Sequence, residues 1–364
     1  MKIISIIFLS IFLYSFANAD KAIKKEENYS IKQCNKESYT KEDLKEYETL
    51  IKDGEIQGYN CVGLYYMRNK DYKIAEEYFN KGKEKGSIES YAQLGSLYSI
   101  FLNNKEKAIE YYTYAANKDH AKAAHNLGVI YDEKFAYKKA LKWYEKSFKK
   151  GDTYSLLAIG TIYLKQNNLD KAISTFEKVG ELGEPGGYYN LGILYRKNKK
   201  IKNLNKAIEY FQKCLNLGSE TCAGGIGTVY EDLKDYDKAI KWYKKGFELG
   251  NKESTSRLAL LYSDILKNYD KSIYWYKKCF DKFQYAGCAT DIGLTYEIDL
   301  KNYNKAIQWY KKGFGLGDNR SANNLGYFYH HVKKDRKKAI YWYKQAIKLG
   351  STKAKNNLRD LNNE

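Results

Sequence analysis

Residues 321–350 read SANNLGYFYHHVKKDRKKAIYWYKQAIKLG. Apolar and small side chains fall at helical spacing in two blocks, from Asn324 to Tyr329 and from Lys338 to Tyr343, with a Lys- and Asp-rich stretch between them. That pattern predicts a helix A, a short turn and a helix B. The stretch recurs along the chain: aligned on its Leu-Gly, it gives Gly63, Gly95, Gly128, Gly160, Gly192, Gly227, Ala259, Gly293 and Gly326, in steps of 32 to 35 residues. About twelve residues after each comes a small residue that opens an aromatic pair: Ala75, Ala108, Ala140, Ala172, Ala207, Ala239, Ser272, Ala306 and Ala339. Nine units in phase are not accidental, and because one unit cannot bury its apolar faces alone, stacked units must share a continuous core.

The strings A-x-x-N-L-G-x-x-Y and K-A-I-x-W-Y-K-K-G-x-x-L-G, recurring in order between Gln57 and Gly350, resemble the Sel1-like branch of the tetratricopeptide superfamily. The Pro that usually closes a tetratricopeptide repeat is replaced by Leu217-Gly218, Leu249-Gly250, Leu316-Gly317 and Leu349-Gly350, which is similar to Sel1-like repeats. The resemblance implies an all-α, right-handed α/α superhelical solenoid of about nine helix-turn-helix repeats over residues 57–350. The units lack the extra residues common between Sel1-like helices, which implies a turn closer to the tetratricopeptide form. Residues 20–56 would form an N-terminal capping segment, with a B-like helix around Glu42 to Asp53, and residues 351–364 a C-terminal capping helix.

Composition agrees with a long helical chain. The 364 residues contain one Pro, 43% hydrophobic residues and 38 Tyr, and carry a formal charge of +19. So much apolar content excludes a disordered tail, and the lack of Pro excludes domains strung on Pro-rich linkers. At the N-terminus, Lys2 precedes an apolar run from Ile3 to Phe16 and then Ala17-Asn18-Ala19, the pattern of a signal peptide over residues 1–19 cleaved before Asp20. The run is short for a spanning helix, and no other stretch approaches the length needed. A periplasmic or secreted bacterial protein is expected.

Export would place all six Cys in an oxidising compartment. Cys214 and Cys279 lie seven residues after Ala207 and Ser272, and Cys222 and Cys288 five before Gly227 and Gly293. In other units these two positions hold Gly82/Ser90, Ala115/Ala123, Ser147/Ser155, Val179/Gly187, Gly246/Ser254, Gly313/Ser321 and Ala346/Ala354. Small residues at both positions imply that helix B touches the next helix A there, the closeness a disulfide needs. Bridges Cys214–Cys222 and Cys279–Cys288 are expected, and by elimination Cys34–Cys61. Free thiols or a metal site are the alternative, without a C-x-x-C or His-Cys cluster to support them. A Cys closing helix B with another opening the next helix also resembles the cysteine-rich secreted Sel1-like subgroup, whose members have been named beta-lactam-binding proteins or beta-lactamases. Only two junctions here carry the pair.

No catalytic set emerges. S-x-x-K occurs at Ser38/Lys41 and Ser147/Lys150, but the K-[ST]-G strand that serine beta-lactamase chemistry needs is absent, and Ser147 occupies the small junction position. His120, His125, His330 and His331 have no metalloprotease spacing, and no phosphate loop is present, so neither metal nor cofactor is expected. Trp143, Trp242, Trp275, Trp309 and Trp342 share one helix B position, which marks packing between units. Lys238, Lys241, Lys244, Lys245, Lys305, Lys311 and Lys312 would face outward on helix B. Solvation of a repetitive face accounts for them, although such a field could attract anionic lipid, acidic glycan or nucleic acid, the last disfavoured by export.

In tetratricopeptide-like solenoids helix A lines the concave side, with residues three before, one after and four after the repeat Gly pointing inward. The resemblance carries this onto His125, Val129 and Asp132; Leu157, Thr161 and Leu164; Tyr189, Ile193 and Arg196; Gly224, Thr228 and Glu231; Thr290, Leu294 and Glu297; and Asn323, Tyr327 and His330. These vary from unit to unit, unlike helix B, and suit capture of an extended peptide or a partner helix. The expected function is a monomeric protein-interaction scaffold with a peptide or protein partner. A beta-lactam-binding or weakly hydrolytic protein is the alternative implied by the subgroup, and an adhesin for anionic surfaces is a third.

Overall fold

A computed structural model describes Cys34 and residues 39–363. The proposed signal peptide and Ser38 lie outside the described residues. Among those described, the regular structure is entirely helical: a helix Lys41–Lys52, eighteen helices alternating A and B along the sequence, and a final helix Thr352–Asn363. The chain divides into two compact units, Met1–Lys202 and Asn203–Glu364. The dividing point falls inside the fifth repeat, where Gly192 and Ala207 are fifteen residues apart instead of twelve or thirteen.

In the first unit, helices pair as Gln57–Arg68 with Tyr72–Glu84, Ile88–Ser96 with Lys105–Asn117, Ala121–Glu133 with Tyr137–Lys149, and Tyr154–Lys165 with Leu169–Glu181, followed by Pro185–Lys197. The second opens with Leu204–Asn216. It continues with Thr221–Asp232 and Tyr236–Glu248, Lys252–Leu260 and Tyr269–Phe283, Ala286–Leu294 and Tyr303–Gly315, and Asn319–His331 and Arg336–Lys348. Within each unit a helix packs chiefly on its neighbours in sequence.

Local chemistry sets these boundaries. Asn104, Asn168, Asn203, Asp235, Asn268, Asn302 and Asp335 each cap a helix B, the side chain accepting from the backbone N–H three residues on. At the other end, Gly218, Gly250, Gly317 and Gly350 adopt φ of 84° to 96°, the left-handed turn that stops helix B where a Pro would otherwise stand. In repeats two, seven, eight and nine the gap from the repeat residue to the small residue is thirteen instead of twelve. In the first three of these, helix A ends in a π-helical turn, Leu97–Phe101, Leu261–Ile265 or Thr295–Asp299, which absorbs the extra residue; in repeat nine Asn319–His331 stays α-helical and the extra residue lengthens the turn before Arg336.

The core repeats with the sequence. Ala75, Ala108, Ala140, Ala172, Ala239, Ala306 and Ala339 are fully buried, as are rings four residues later such as Phe79, Phe176, Tyr243 and Tyr310. Each such ring lies against the backbone of the repeat Gly: a Cβ on Gly63, Gly160 or Gly293 would fall within 2.5 Å of Phe79, Phe176 or Tyr310. Trp275, Trp309 and Trp342 pack edge-on to Phe247, Phe280 and Phe314 of the preceding helix B, the inter-repeat role read from their periodicity.

All six cysteines are paired. Cys214–Cys222 and Cys279–Cys288 join helix B to the next helix A with Cα atoms 6.0 and 6.2 Å apart. Cys34–Cys61 ties the segment before the first helix to the first repeat, its Cα atoms 4.9 Å apart. The small pairs elsewhere mark the same contact: a Cβ on Gly82, Gly246 or Gly313 would overlap the hydroxyl of Ser90, Ser254 or Ser321.

Candidate interaction surface

The three helix A positions singled out for binding have distinct environments. In the first unit Leu157 and Ile193 are buried, while His125, Val129, Asp132, Thr161, Leu164, Tyr189 and Arg196 are half-buried. In the second, Thr228, Thr290, Asn323 and His330 are buried, Glu231, Leu294 and Glu297 half-buried, and Tyr327 exposed.

The position three before the Gly reaches the next repeat. His125 Nδ1 lies 3.0 Å from Asp152 Oδ2 and 2.9 Å from Ser155 Oγ. Thr290 donates to Asp318 and lies 2.6 Å from Ser321 Oγ, and Asn323 Oδ1 accepts from Asn357 at 2.9 Å. The position four after the Gly meets helix B or a neighbouring helix A. Glu231 and Glu297 accept from the hydroxyls of Tyr243 and Tyr310, both at 2.6 Å, and Asp132 pairs with Lys165 at 2.6 Å. Burial pushes the Glu297 carboxyl up, and the Tyr310 hydrogen bond only partly offsets this. At the middle position, Thr161 and Thr228 return their hydroxyls to backbone carbonyls of their own helices.

The serine, histidine and carboxylate side chains at the junction of repeats three and four form a clamp between helices. Ser147 and Ser155 lie 2.8 and 2.5 Å from Asp152 Oδ2 as donors, and the single Ser147 hydroxyl proton is also within reach of the Ala121 carbonyl at 2.9 Å. Burial alone would raise the Asp152 carboxyl, but hydrogen bonds from His125, Ser155 and Ser147 lower it to about 2. Both serines are fully buried, and Lys150 pairs with Asp119 at 2.8 Å, so packing accounts for the S-x-x-K string. His120 is a second such device. Its Nδ1 accepts from the Ala123 N–H, which leaves the proton on Nε2 for Glu89 at 2.9 Å. Among the described residues no group of three His, Cys, Asp or Glu is placed to hold a metal.

Three of the selected side chains come together around open space. Thr290, Leu294 and Asn323 line a depression of about 470 Å³ in the second unit, with Asn319, Arg320, Asn324 and the turn Gly350 to Lys353. Arg320 lies 3.7 Å from Asp291 and 3.5 Å from Asp318. Burial pushes the Asp291 carboxyl up to about 6 despite that guanidinium. Asn319, Arg320, Asn324 and Lys353 were not singled out from sequence, because they occupy the first turns of helices or flank the three selected positions; their only signal is polar variation near the last repeat.

Comparison with known families matches the Sel1 repeat at residues 61–87, 253–278 and 319–351, and the tetratricopeptide repeat at 88–116, 121–149, 153–182, 185–217, 224–251 and 287–316. These nine segments fall one to each A/B pair. The chain belongs to the Sel1-like branch of the tetratricopeptide superfamily. Two solved structures are similar to this Sel1-like chain. One is a protective antigen present in uropathogenic Escherichia coli strains that displays an SLR fold, 22% identical, matched over 92% of this chain and 78% of that one with a TM-score of 0.47. The other is a Sel1 repeat protein from Oxalobacter formigenes, 20% identical, matched over 78% and 90% with a TM-score of 0.47. Comparison with curated proteins gives no match. Sel1-like and tetratricopeptide repeats make this chain a protein-interaction scaffold.

Proposed function

We propose that this scaffold is exported and that its second unit captures an extended segment of a protein partner at the depression bordered by Thr290, Leu294 and Asn323. The observation that carries this reading is the convergence of those three positions on one open, polar cavity with an apolar edge. Amide groups of Asn319 and Asn324 can pair with peptide backbone, Leu294 can anchor an apolar side chain, and Lys353, beside the exposed Arg320 that Asp291 and Asp318 hold in place, can meet a carboxylate. The disulfides support export, since such bridges persist in oxidising compartments, and among the described residues no helix is long and apolar enough to cross a membrane. The beta-lactam alternative finds no exposed nucleophile at Ser147.

The test places a photo-crosslinking amino acid at Asn324 or, separately, at Lys311 on helix B, in cells that produce the protein. A partner crosslinked from Asn324, absent from Lys311, and lost with Leu294→Ala would support the reading, provided helicity and melting are retained. Equal labelling from both positions would overturn it.

A further inference from the structure

Charge is unevenly distributed over the outward faces of the helix B segments. In Tyr236–Glu248, Tyr269–Phe283, Tyr303–Gly315 and Arg336–Lys348, the exposed side chains include sixteen Lys or Arg and four Asp or Glu. In the last two helices there are eight basic residues, including Lys305, Lys311, Lys312 and Lys344, and no acidic ones. Compositional drift toward Lys would load every repeat alike. It does not: on the same face of the first two repeats, exposed Lys73, Lys81 and Lys107 stand against Glu77, Glu84, Glu106 and Glu110, and although the third exposes Lys138, Lys139, Lys142 and Lys149 against Glu145, the fourth returns to Lys171 and Lys178 against Asp170 and Glu181. Meanwhile Glu231, Asp232, Asp291, Glu297 and Asp299 of the second unit sit on helix A or its π-helical extension. Even with Lys252, Arg257 and Arg320 on helix A, the two helix layers of that unit therefore differ in the sign of their net charge.

Aromatic rings carry part of this basic face. The ammonium of Lys312 lies 4.1 Å from the Trp309 ring centroid, Lys245 lies 4.9 Å from that of Trp242, and Lys282 lies 4.4 Å from that of Phe247. These ammonium groups rest on the rings of the exposed face, and Lys282 also donates to the Phe247 carbonyl at 2.8 Å. Tyr274 and Tyr341, each about half exposed at 52% and 51%, stand among them. Lys outnumbers Arg fifteen to one on this face, so point charges dominate over the forked geometry that reads a particular phosphate or carboxylate. Diffuse lysine charge interleaved with amphipathic rings matches the headgroup layer of an anionic bilayer, where each such cation adds to binding and Tyr and Trp rings settle at the interface.

We infer that the helix B face of repeats six to nine docks on a membrane surface rich in anionic lipid. The full-length chain, disulfides intact, is titrated with phosphatidylcholine vesicles and with vesicles containing phosphatidylglycerol. The gain due to phosphatidylglycerol is compared among wild type, Lys305→Gln/Lys311→Gln/Lys312→Gln/Lys344→Gln, the matching Lys→Arg variant, and Lys73→Gln/Lys81→Gln/Lys171→Gln/Lys178→Gln. The comparison cancels any contribution of the apolar N-terminal residues. The first Gln variant should lose about tenfold or more of that gain, with the Arg variant and the first-unit variant close to wild type. Equal losses in both Gln variants would reduce the effect to net charge and overturn the inference. So would a gain that none of the substitutions changes, or tighter binding by the same lysines to soluble polyphosphate than to the vesicles.

Discussion

The Tyr243 ring occupies the space above the backbone of Gly227: a Cβ added to that Gly would fall 2.6 Å from ring atoms Cδ1 and Cε1. Tyr243 is fully buried and its hydroxyl is tied to Glu231, so the ring has nowhere to retreat. Gly227→Ala should destabilise the protein by roughly 1–3 kcal/mol through overpacking. Gly315→Ala, where a Cβ meets nothing within 4 Å at an exposed helix end, should be neutral or stabilising. Urea denaturation of the two variants compares them directly.

Cys214→Ala/Cys222→Ala restores the pair already present as Ala115/Ala123 and Ala346/Ala354, so the fold should persist. Loss of a bridge spanning eight residues should cost about 2–3 kcal/mol of unfolding free energy. Reducing agent should lower wild type toward the variant. Differential denaturation with and without reductant measures both effects.

Acid should weaken the clamp between repeats three and four. The Asp152 carboxyl is depressed to about 2 in the folded protein, so its contribution is complete above the unfolded value near 4 and is lost as pH falls from there toward 2. Asp152→Asn should therefore cost roughly 2 kcal/mol at pH 7, with the gap to wild type closing between pH 4 and pH 2. A series of urea melts across that range tests the sign. A constant gap would show that the carboxylate charge is not what matters.

Gln284 ends its helix B with φ 47°, where most repeats have Gly. Gln284→Gly should relieve left-handed strain and raise stability by about 0.5–1 kcal/mol, read as a higher melting temperature.

The repeat phase was legible because its markers are steric. A Gly beneath a ring, replaced by Ala259 in the seventh repeat alone, and a small residue at most helix contacts leave the same trace from unit to unit, and Cys214, Cys222, Cys279 and Cys288 fall into that register. The π-helical turns left only one extra residue, which periodicity alone does not distinguish from a longer loop. The roles of His125, Thr290 and Asn323 were hidden for another reason. Their partners Asp152, Asp318 and Asn357 belong to the next repeat or cap, 27 to 34 residues away, and single-repeat spacing carries no information about that pairing.

Numbered from the N-terminus, the cysteines pair first with second, third with fourth and fifth with sixth. An enzyme that oxidises thiols in the order they emerge would make every native bond at its first attempt. Such a chain has no need of a disulfide isomerase, so its yield should depend on the supply of oxidant alone.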